Sequence, residues 1–204
     1  MRRIQFASAL CLALLLATSH ALSAQVIGFK LGATMSKIVT EPDSDLDGLT
    51  AFAGGGFIRF GLGPIAVQPE LLTLTKGHDE PAGKLELEYI EVPVLLHLGL
   101  SAGSMFAPYV FAGPAFGFEV GCQVELTTET DCDDAGTDAP QNRKSTDIGI
   151  TAGGGVGFNI GPGTVLLEGR YNWGLTDIAD IEGDAGMKNR YAAFFVGFAI
   201  PLTR

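Results

Sequence analysis

The chain has 204 residues, and its 13 basic and 23 acidic side chains give a formal net charge of −10. A chain this acidic lacks the basic surface that nucleic acids require, so we expect no nucleic-acid partner. Its length suits one domain, and after residue 24 no apolar run reaches the roughly 18–20 residues of a membrane-spanning helix.

The first residues have the pattern of a secretory signal. Two arginines precede an apolar run over residues 4–17, which is too short to span a bilayer, and small and polar residues follow. We predict a signal peptide over residues 1–24 and one mature domain over 25–204. Small residues permit cleavage after Ala21 or after Ala24, and the choice stays open. Loss of the two arginines leaves a net charge of −12.

After the signal, eight runs are apolar or alternate between apolar and polar residues. The run 84–100 shows the pattern best, because Ile90 and its alternate neighbours are apolar whereas Glu91 and His97 fall on the other face. Most runs exceed the roughly 9–11 residues that a tilted strand needs to cross a bilayer. The predicted strands are 26–35, 49–60, 65–76, 84–100, 106–120, 146–160, 164–176 and 189–202.

The connections between these strands alternate in length. Tight turns rich in glycine and proline are predicted at 61–64, 101–105 and 161–163, and long acidic loops at 36–48, 77–83, 121–145 and 177–188. Outer-membrane barrels have short periplasmic turns and long external loops. We therefore predict an all-β protein, in which residues 25–204 form an outer-membrane β-barrel domain. This domain would be an eight-stranded antiparallel up-and-down transmembrane β-barrel. It would lie in the bilayer of a Gram-negative outer membrane, with periplasmic termini.

Aromatic residues are expected to form two girdles on this barrel. Those near the periplasmic rim are Phe60, Phe106 and Phe198, and those near the outer rim are Phe52, Phe118, Tyr171 and Trp173. The alternative is that they are core aromatics of a soluble sandwich.

Prolines occur inside several predicted strands. A proline cannot donate to the strand ladder, so each one predicts a bulge, a rim position or a shifted boundary. These residues are Pro69, Pro93, Pro108, Pro114 and Pro201.

Four short motifs follow one another along the chain: QPELL at 68–72, YIEVPVLL at 89–96, GGGVGF at 153–158 and LLEGRYNWGLTDI at 166–178. In this order they resemble the PorT-like outer-membrane β-barrel proteins of Bacteroidetes and relatives. The resemblance implies an eight-stranded outer-membrane barrel and no more precise role.

Two kinds of motif imitate ligand sites. The glycine clusters 54–56 and 153–157 lie in strand-like runs and open no helix, so we interpret them as places where a small barrel bends. Asp43, Asp45 and Asp47 copy half of a calcium loop, but Gly54 stands where the bidentate glutamate belongs. A solvated acidic loop is the main interpretation, and weak divalent-cation binding is the alternative. The same holds for Asp131, Asp133, Asp134 and Asp138. No cofactor is predicted.

Catalysis is not predicted by any residue pattern. After the signal the histidines are His78, in a loop, and His97, in a strand, and neither has a serine or aspartate at a fixed spacing. We expect His97 to be a buried or rim hydrogen-bonding residue.

The favoured function is a non-enzymatic integral barrel without a large pore. It would act through its external loops, where a protein could dock, or as a structural or assembly component. A lipid-modifying outer-membrane enzyme and a periplasmic lipocalin-like binder are the alternatives.

Strand parity directs six charged residues into the barrel: Lys30, Arg59, Glu70, Glu91, Glu168 and Arg170. The three positive and three negative charges predict a hydrogen-bonded network that closes the channel and fixes the strand register. The alternative is that some of them lie in water at the rims, and the plug would then consist of Tyr89, Leu95, Tyr109 and Phe111.

The mature chain keeps two cysteines, Cys122 and Cys132, within one predicted loop. A secreted protein matures in an oxidising compartment, so we predict a disulfide between them.

Overall fold

The structure is a computed structural model and describes residues 24–40, 44–45, 48–62, 64–80, 83–100, 105–125, 129–131, 145–176 and 187–202. The predicted signal peptide lies outside these ranges, apart from Ala24, where the first strand begins. None of the described segments contains a helix long and apolar enough to cross a membrane.

Ten strands make up the described structure. In chain order they are β1 Ala24–Thr40, β2 Ser44–Asp45, β3 Leu49–Leu62, β4 Ile65–Glu80, β5 Gly83–Gly99, β6 Phe106–Glu125, β7 Glu129–Asp131, β8 Thr146–Ile160, β9 Gly163–Gly174 and β10 Met187–Pro201.

Eight of these strands close into a barrel. Strands β1, β3, β4, β5, β6, β8, β9 and β10 pair antiparallel in chain order, and β10 pairs with β1 to complete the circle. The short strands β2 and β7 pair with β1 and β6 beyond the wall. The predicted eight-stranded antiparallel barrel is confirmed.

The two ends of the barrel differ. The end where β1 begins and β10 ends carries the connections β3–β4, β5–β6 and β8–β9, and we call it the short-turn end. The opposite end carries the other connections, and we call it the long-loop end. At the short-turn end, Gly161 has a φ of 63° in the two-residue turn between Ile160 and Gly163, a backbone region that glycine adopts without a steric penalty.

The wall has an apolar outside and a partly polar inside. In β5 the residues Glu91 and His97 are buried in the lumen, whereas Leu96 and Leu98 on the opposite face are half exposed on the outside. A soluble barrel would have the reverse arrangement, with apolar side chains inward. The outer face therefore suits lipid, because a continuous apolar surface of this extent is unusual for a protein in water.

Exposed aromatic rings lie near both ends of the wall. Near the long-loop end Phe52 is 90% exposed, and Trp173 packs 4.6 Å from Tyr171 between ring centroids. Near the short-turn end Phe106 contacts Phe158 at 5.3 Å. These rings cover no protein core, so the sandwich-core interpretation does not apply.

Several strands continue past their predicted ends. Strand β4 runs to Glu80 and β5 starts at Gly83, so most of the predicted loop 77–83 is a paired hairpin. Strand β6 likewise continues to Glu125. Outside a bilayer both faces of a strand can be polar, so the apolar alternation that marks a strand in the sequence is lost there.

The prolines interrupt pairing without shifting it. The ladder omits two residue pairs beside Pro69, Pro93 and Pro114, and the register is the same on both sides of each gap. The register shift in this part of the wall lies between Glu88 and Tyr89, away from any proline. The expectation of a bulge, a rim position or a shifted boundary was therefore wrong for these three residues. Pro201 does lie at a strand end.

We predict that the protein partitions with outer membranes and migrates differently on detergent gels before and after heating. A closed barrel has no edge strand from which detergent can unravel it, so the unheated form should stay compact. The measurement is a gel-shift assay of membrane fractions. Recovery of the protein as a soluble monomer that shows no shift on heating contradicts the membrane assignment.

Candidate functional site

Polar side chains enter the lumen because two strands alternate polar with apolar residues. In β4, Gln68, Glu70 and Lys76 share the inward face, and in β9 Glu168 and Arg170 do so. The inward positions of a strand have a period of two, so each such residue is directed to the same side of the wall. All five side chains are buried.

Four of the buried charges form one group, which we call the central cluster: Lys30, Glu70, Glu168 and Arg170. Lys30 Nζ donates to Glu70 Oε1 at 2.8 Å and to Glu168 Oε1 at 2.9 Å. Arg170 reaches the same two carboxylates, with Nη1 2.8 Å from Glu70 Oε2 and Nε 3.1 Å from Glu168 Oε1. Two cations thus bridge two carboxylates across the lumen and join strands β1, β4 and β9.

Neutral donors complete the shell of these carboxylates. Gln68 Nε2 donates to Glu70 Oε1 at 2.6 Å, and the Tyr109 hydroxyl donates to Glu168 Oε2 at 3.2 Å. Every oxygen of Glu70 and Glu168 therefore accepts at least one hydrogen bond. Buried carboxylates need this degree of saturation, because bulk water does not reach them to replace a missing donor.

Aromatic rings line the space around the cations of the central cluster. The Lys30 ammonium lies 5.2 Å from the Phe57 ring centre, and the Arg170 guanidinium lies 5.0 Å from that of Phe195 and 5.3 Å from that of Phe111. These distances are in the range of cation–π attraction.

Glycines in β8 leave room for two of the lumen rings. A Cβ at Gly153 would lie 2.6 Å from Phe111 Cζ, and one at Gly155 would lie 2.6 Å from the Tyr109 hydroxyl. Larger residues at these positions would displace the rings. The GGGVGF motif thus has a packing role in addition to the bending that the sequence suggested.

A second group, the loop-end cluster, consists of Lys76, Glu91 and Asp147. Lys76 Nζ lies 3.1 Å from Glu91 Oε2 and 3.0 Å from Asp147 Oδ2. The Tyr191 hydroxyl donates to Glu91, and Asn189 Nδ2 donates to Asp147 at 3.1 Å. This cluster lies nearer the long-loop end, since Asp147 is the second residue of β8.

The six residues of the predicted network are thus divided by the structure. Lys30, Glu70, Glu168 and Arg170 contact one another, Glu91 belongs to the loop-end cluster, and Arg59 contacts Gln68 and no carboxylate among the described ion pairs. Lys76 and Asp147 were not predicted to belong to the network, because both lie at the ends of predicted strands. Their parity, which matches that of Glu70 in β4 and Gly153 in β8, could have identified them.

Within the two clusters and Arg59, the inward charges are equal in number: four cations (Lys30, Arg59, Lys76 and Arg170) and four carboxylates (Glu70, Glu91, Asp147 and Glu168). Glu119 is a further inward carboxylate, since it pairs with the buried Tyr89 and its Oε2 is buried. The central cluster alone is neutral, Arg59 adds one positive charge beside it, and the loop-end cluster has one excess negative charge.

The four residues named as an alternative plug are also buried in the lumen. Leu95, Tyr109 and Phe111 belong to an apolar group with Phe57 and Leu166, and Tyr89 belongs to a second group with Leu72 and Tyr191. Ion clusters and apolar side chains therefore fill the lumen together. His97 is buried as expected, but it stacks on Phe111 at 5.0 Å and its ring nitrogens make no hydrogen bond with the described residues.

The remaining predicted sites are only partly described. Asp45 lies in β2, whereas Asp43 and Asp47 lie outside the described residues, as do Asp133, Asp134 and Asp138. The described residues contain no group of three or more side chains arranged to hold a metal ion. Cys122 is buried in β6, Cys132 lies outside the described residues, and their disulfide stays a prediction.

We predict that Lys76→Met lowers the free energy of unfolding by about 3–5 kcal/mol, because it leaves two buried carboxylates, Glu91 and Asp147, without their cation. Adding Glu91→Gln and Asp147→Asn to this variant should recover part of the loss. The measurement is urea unfolding in lipid vesicles, followed by the fluorescence of Trp173. Wild-type stability of Lys76→Met contradicts the cluster.

The same assay distinguishes two clusters from one network. No ion pair or hydrogen bond directly joins a member of one cluster to a member of the other. The losses caused by Lys76→Met and Arg170→Met should therefore add to within about 0.5 kcal/mol. Lys188→Met, a partly exposed residue at the long-loop end, is the control and should change stability by less than about 0.5 kcal/mol.

We predict that Cys122 and Cys132 form a disulfide that stabilises the chain by about 3 kcal/mol at most, because the loop that it closes is short. Protein unfolded in detergent without reductant should resist thiol alkylation, and reduction should make both cysteines reactive. Mass spectrometry measures the labelling. Labelling of both cysteines before reduction contradicts the bond.

Comparison with known proteins agrees with the fold. The sequence matches the outer membrane protein beta-barrel domain over residues 22–180. Neisserial surface protein A is similar in structure, with 14% identity, a TM-score of 0.56 and coverage of 85% of this chain and 96% of that chain.

OprG from Pseudomonas aeruginosa gives 13% identity, a TM-score of 0.51 and coverage of 90% and 98%. At these identities the solved structures show the fold alone. A comparison with curated proteins finds no match. Because the domain match covers most of the sequence, the chain belongs to the outer membrane protein beta-barrel domain family.

Proposed function

We propose that the protein is a non-enzymatic, PorT-like outer-membrane barrel that docks a partner at its long-loop end. In this proposal the termini and the short turns face the periplasm. The observation that carries it is the filled lumen. Both ion clusters and two apolar groups occupy the inside of the wall, so the barrel offers no open path for solutes.

The charge distribution supports an interaction at the long-loop end. Residues 36–48, 77–88, 119–145 and 175–188 contain 19 of the 23 acidic residues and five basic ones. The other four acidic residues belong to the two clusters, and the short-turn connections contain none. This excess of negative charge creates a negative electrostatic potential at the long-loop end. The potential favours a partner with a basic surface and speeds the association of the two proteins at low ionic strength.

No described contact supports the alternative functions. A lipid-modifying enzyme needs a nucleophile beside a base. His97 packs against the rings of Tyr109 and Phe111, and its ring nitrogens make no hydrogen bond to a serine or a carboxylate in the described part of the chain. A lipocalin-like binder would bury its apolar face and hold a ligand in the lumen, whereas here the apolar face is outside.

The proposal is tested by photo-crosslinking in intact cells. A photoreactive amino acid at Glu88 or at Leu175, both exposed near the long-loop end, should capture the same partner protein. The matched control is Met105, which is exposed at the short-turn end and should not capture that partner. Mass spectrometry identifies the captured species.

Raising the salt concentration should lower the crosslinking yield at position 88. Salt screens the attraction between the acidic loops and a basic partner, and at 0.1 M salt this attraction extends only about 10 Å. Capture of the same proteins from Met105 as from Glu88 contradicts docking at the long-loop end. Capture and turnover of a lipid favour the enzyme instead.

A further inference from the structure

Arg59 is a lumen cation whose hydrogen-bonding capacity is not satisfied. Its Nε donates to Gln68 Oε1 at 2.6 Å, and its guanidinium lies 5.3 Å from the centre of the Tyr109 ring. Its Nη2 is buried and has no hydrogen-bond partner among the described residues. Glu70 and Glu168, the carboxylates of the central cluster, are already bound by Lys30 and Arg170.

His97 is the second buried group with unsatisfied nitrogens in this part of the lumen. Its side chain is 2% exposed, and neither Nδ1 nor Nε2 has a partner in the described structure. The ring lies 5.3 Å from the centre of Tyr109, the same ring that Arg59 approaches. A neutral imidazole has one N–H donor, which needs a hydrogen-bond acceptor when it is buried.

The wall beside His97 consists of small residues on the side that faces Arg59. Ala66 in β4 pairs with His97 on one side and with Gly61 on the other, and Gly61 is two residues from Arg59 on the same face of β3. Arg59 and His97 both approach the Tyr109 ring, so the two unsatisfied groups lie in the same part of the lumen.

The charges around Arg59 include one excess cation. The central cluster is neutral, and the arginine side chain stays protonated at any physiological pH. Arg59 is partly exposed, but its Nη2 is buried without a hydrogen-bond partner among the described residues. One negative charge beside Arg59 would satisfy both the guanidinium Nη2 and the excess charge.

We propose that the short-turn end of the lumen contains a site for a small monovalent anion, held by the Arg59 guanidinium and a ring N–H of His97. The competing account is that the excess negative charge of the loop-end cluster balances Arg59 across the lumen, while a water molecule accepts the free N–H groups. The two accounts differ in whether the barrel responds to the identity of the anion.

Chloride is the test ion, and the readout is the thermal unfolding midpoint of the purified mature barrel in neutral detergent. Sodium chloride should raise the midpoint above its value in sodium gluconate of the same ionic strength, because the larger gluconate does not fit. In Arg59→Gln and in His97→Phe the chloride response should fall at least tenfold in apparent affinity.

His97→Phe keeps a ring that can stack on Tyr109 and Phe111, so its loss of response reports on the N–H and not on packing. It also gives a result if Arg59→Gln does not fold. Lys188→Gln, at the opposite end, is the control and should keep the full chloride response. Crystals grown with bromide should show an anomalous peak within hydrogen-bond distance of both Arg59 and His97.

Equal midpoints in chloride and gluconate, or a chloride response that survives in both variants, overturn the site. A crystal in which water occupies this position in the presence of bromide also overturns it.

Discussion

The structure depends on two cations that bridge the same two carboxylates inside the barrel. Lys30 and Arg170 both contact Glu70 and Glu168, and the four residues belong to three strands that are far apart in sequence. In the closed lumen no bulk water can replace a lost partner. Each strand must therefore present its charge at the right height and on the right face.

The need to pair these lumen charges fixes the register of the strands more than it stabilises the folded barrel. Taking charges out of water offsets much of their attraction, so a buried ion group contributes little net free energy compared with apolar side chains of the same volume. A slip of β4 by one residue, however, would turn Glu70 towards lipid and Leu71 into the lumen. A register slip would thus place a charge against lipid and an apolar side chain among the lumen charges. Both consequences oppose the slip.

Much of the fold could be predicted because strand parity has a period of two. Alternation in the run 84–100 assigned Glu91 and Leu96 to opposite faces, and the pattern of short and long connections gave the antiparallel order. Contacts across the lumen could not be predicted, because parity gives the face of a side chain and not its height or its reach. For this reason Glu91 was grouped with Arg170, whereas it pairs with Lys76. The four short sequence motifs contain several of these lumen residues, including Glu70, Glu168 and Arg170.

The two ion clusters and the rings around them close the lumen of the barrel. Single-channel conductance in planar lipid bilayers measures whether the lumen is closed to ions. Wild-type protein should show no stable conductance steps. A variant in which serine replaces Lys30, Glu70, Glu168 and Arg170 of the central cluster and Lys76, Glu91 and Asp147 of the loop-end cluster should conduct small ions, because serine leaves both levels of the lumen wider and hydrated. Stable conductance steps of the wild-type barrel, equal to those of the variant, would contradict a closed lumen.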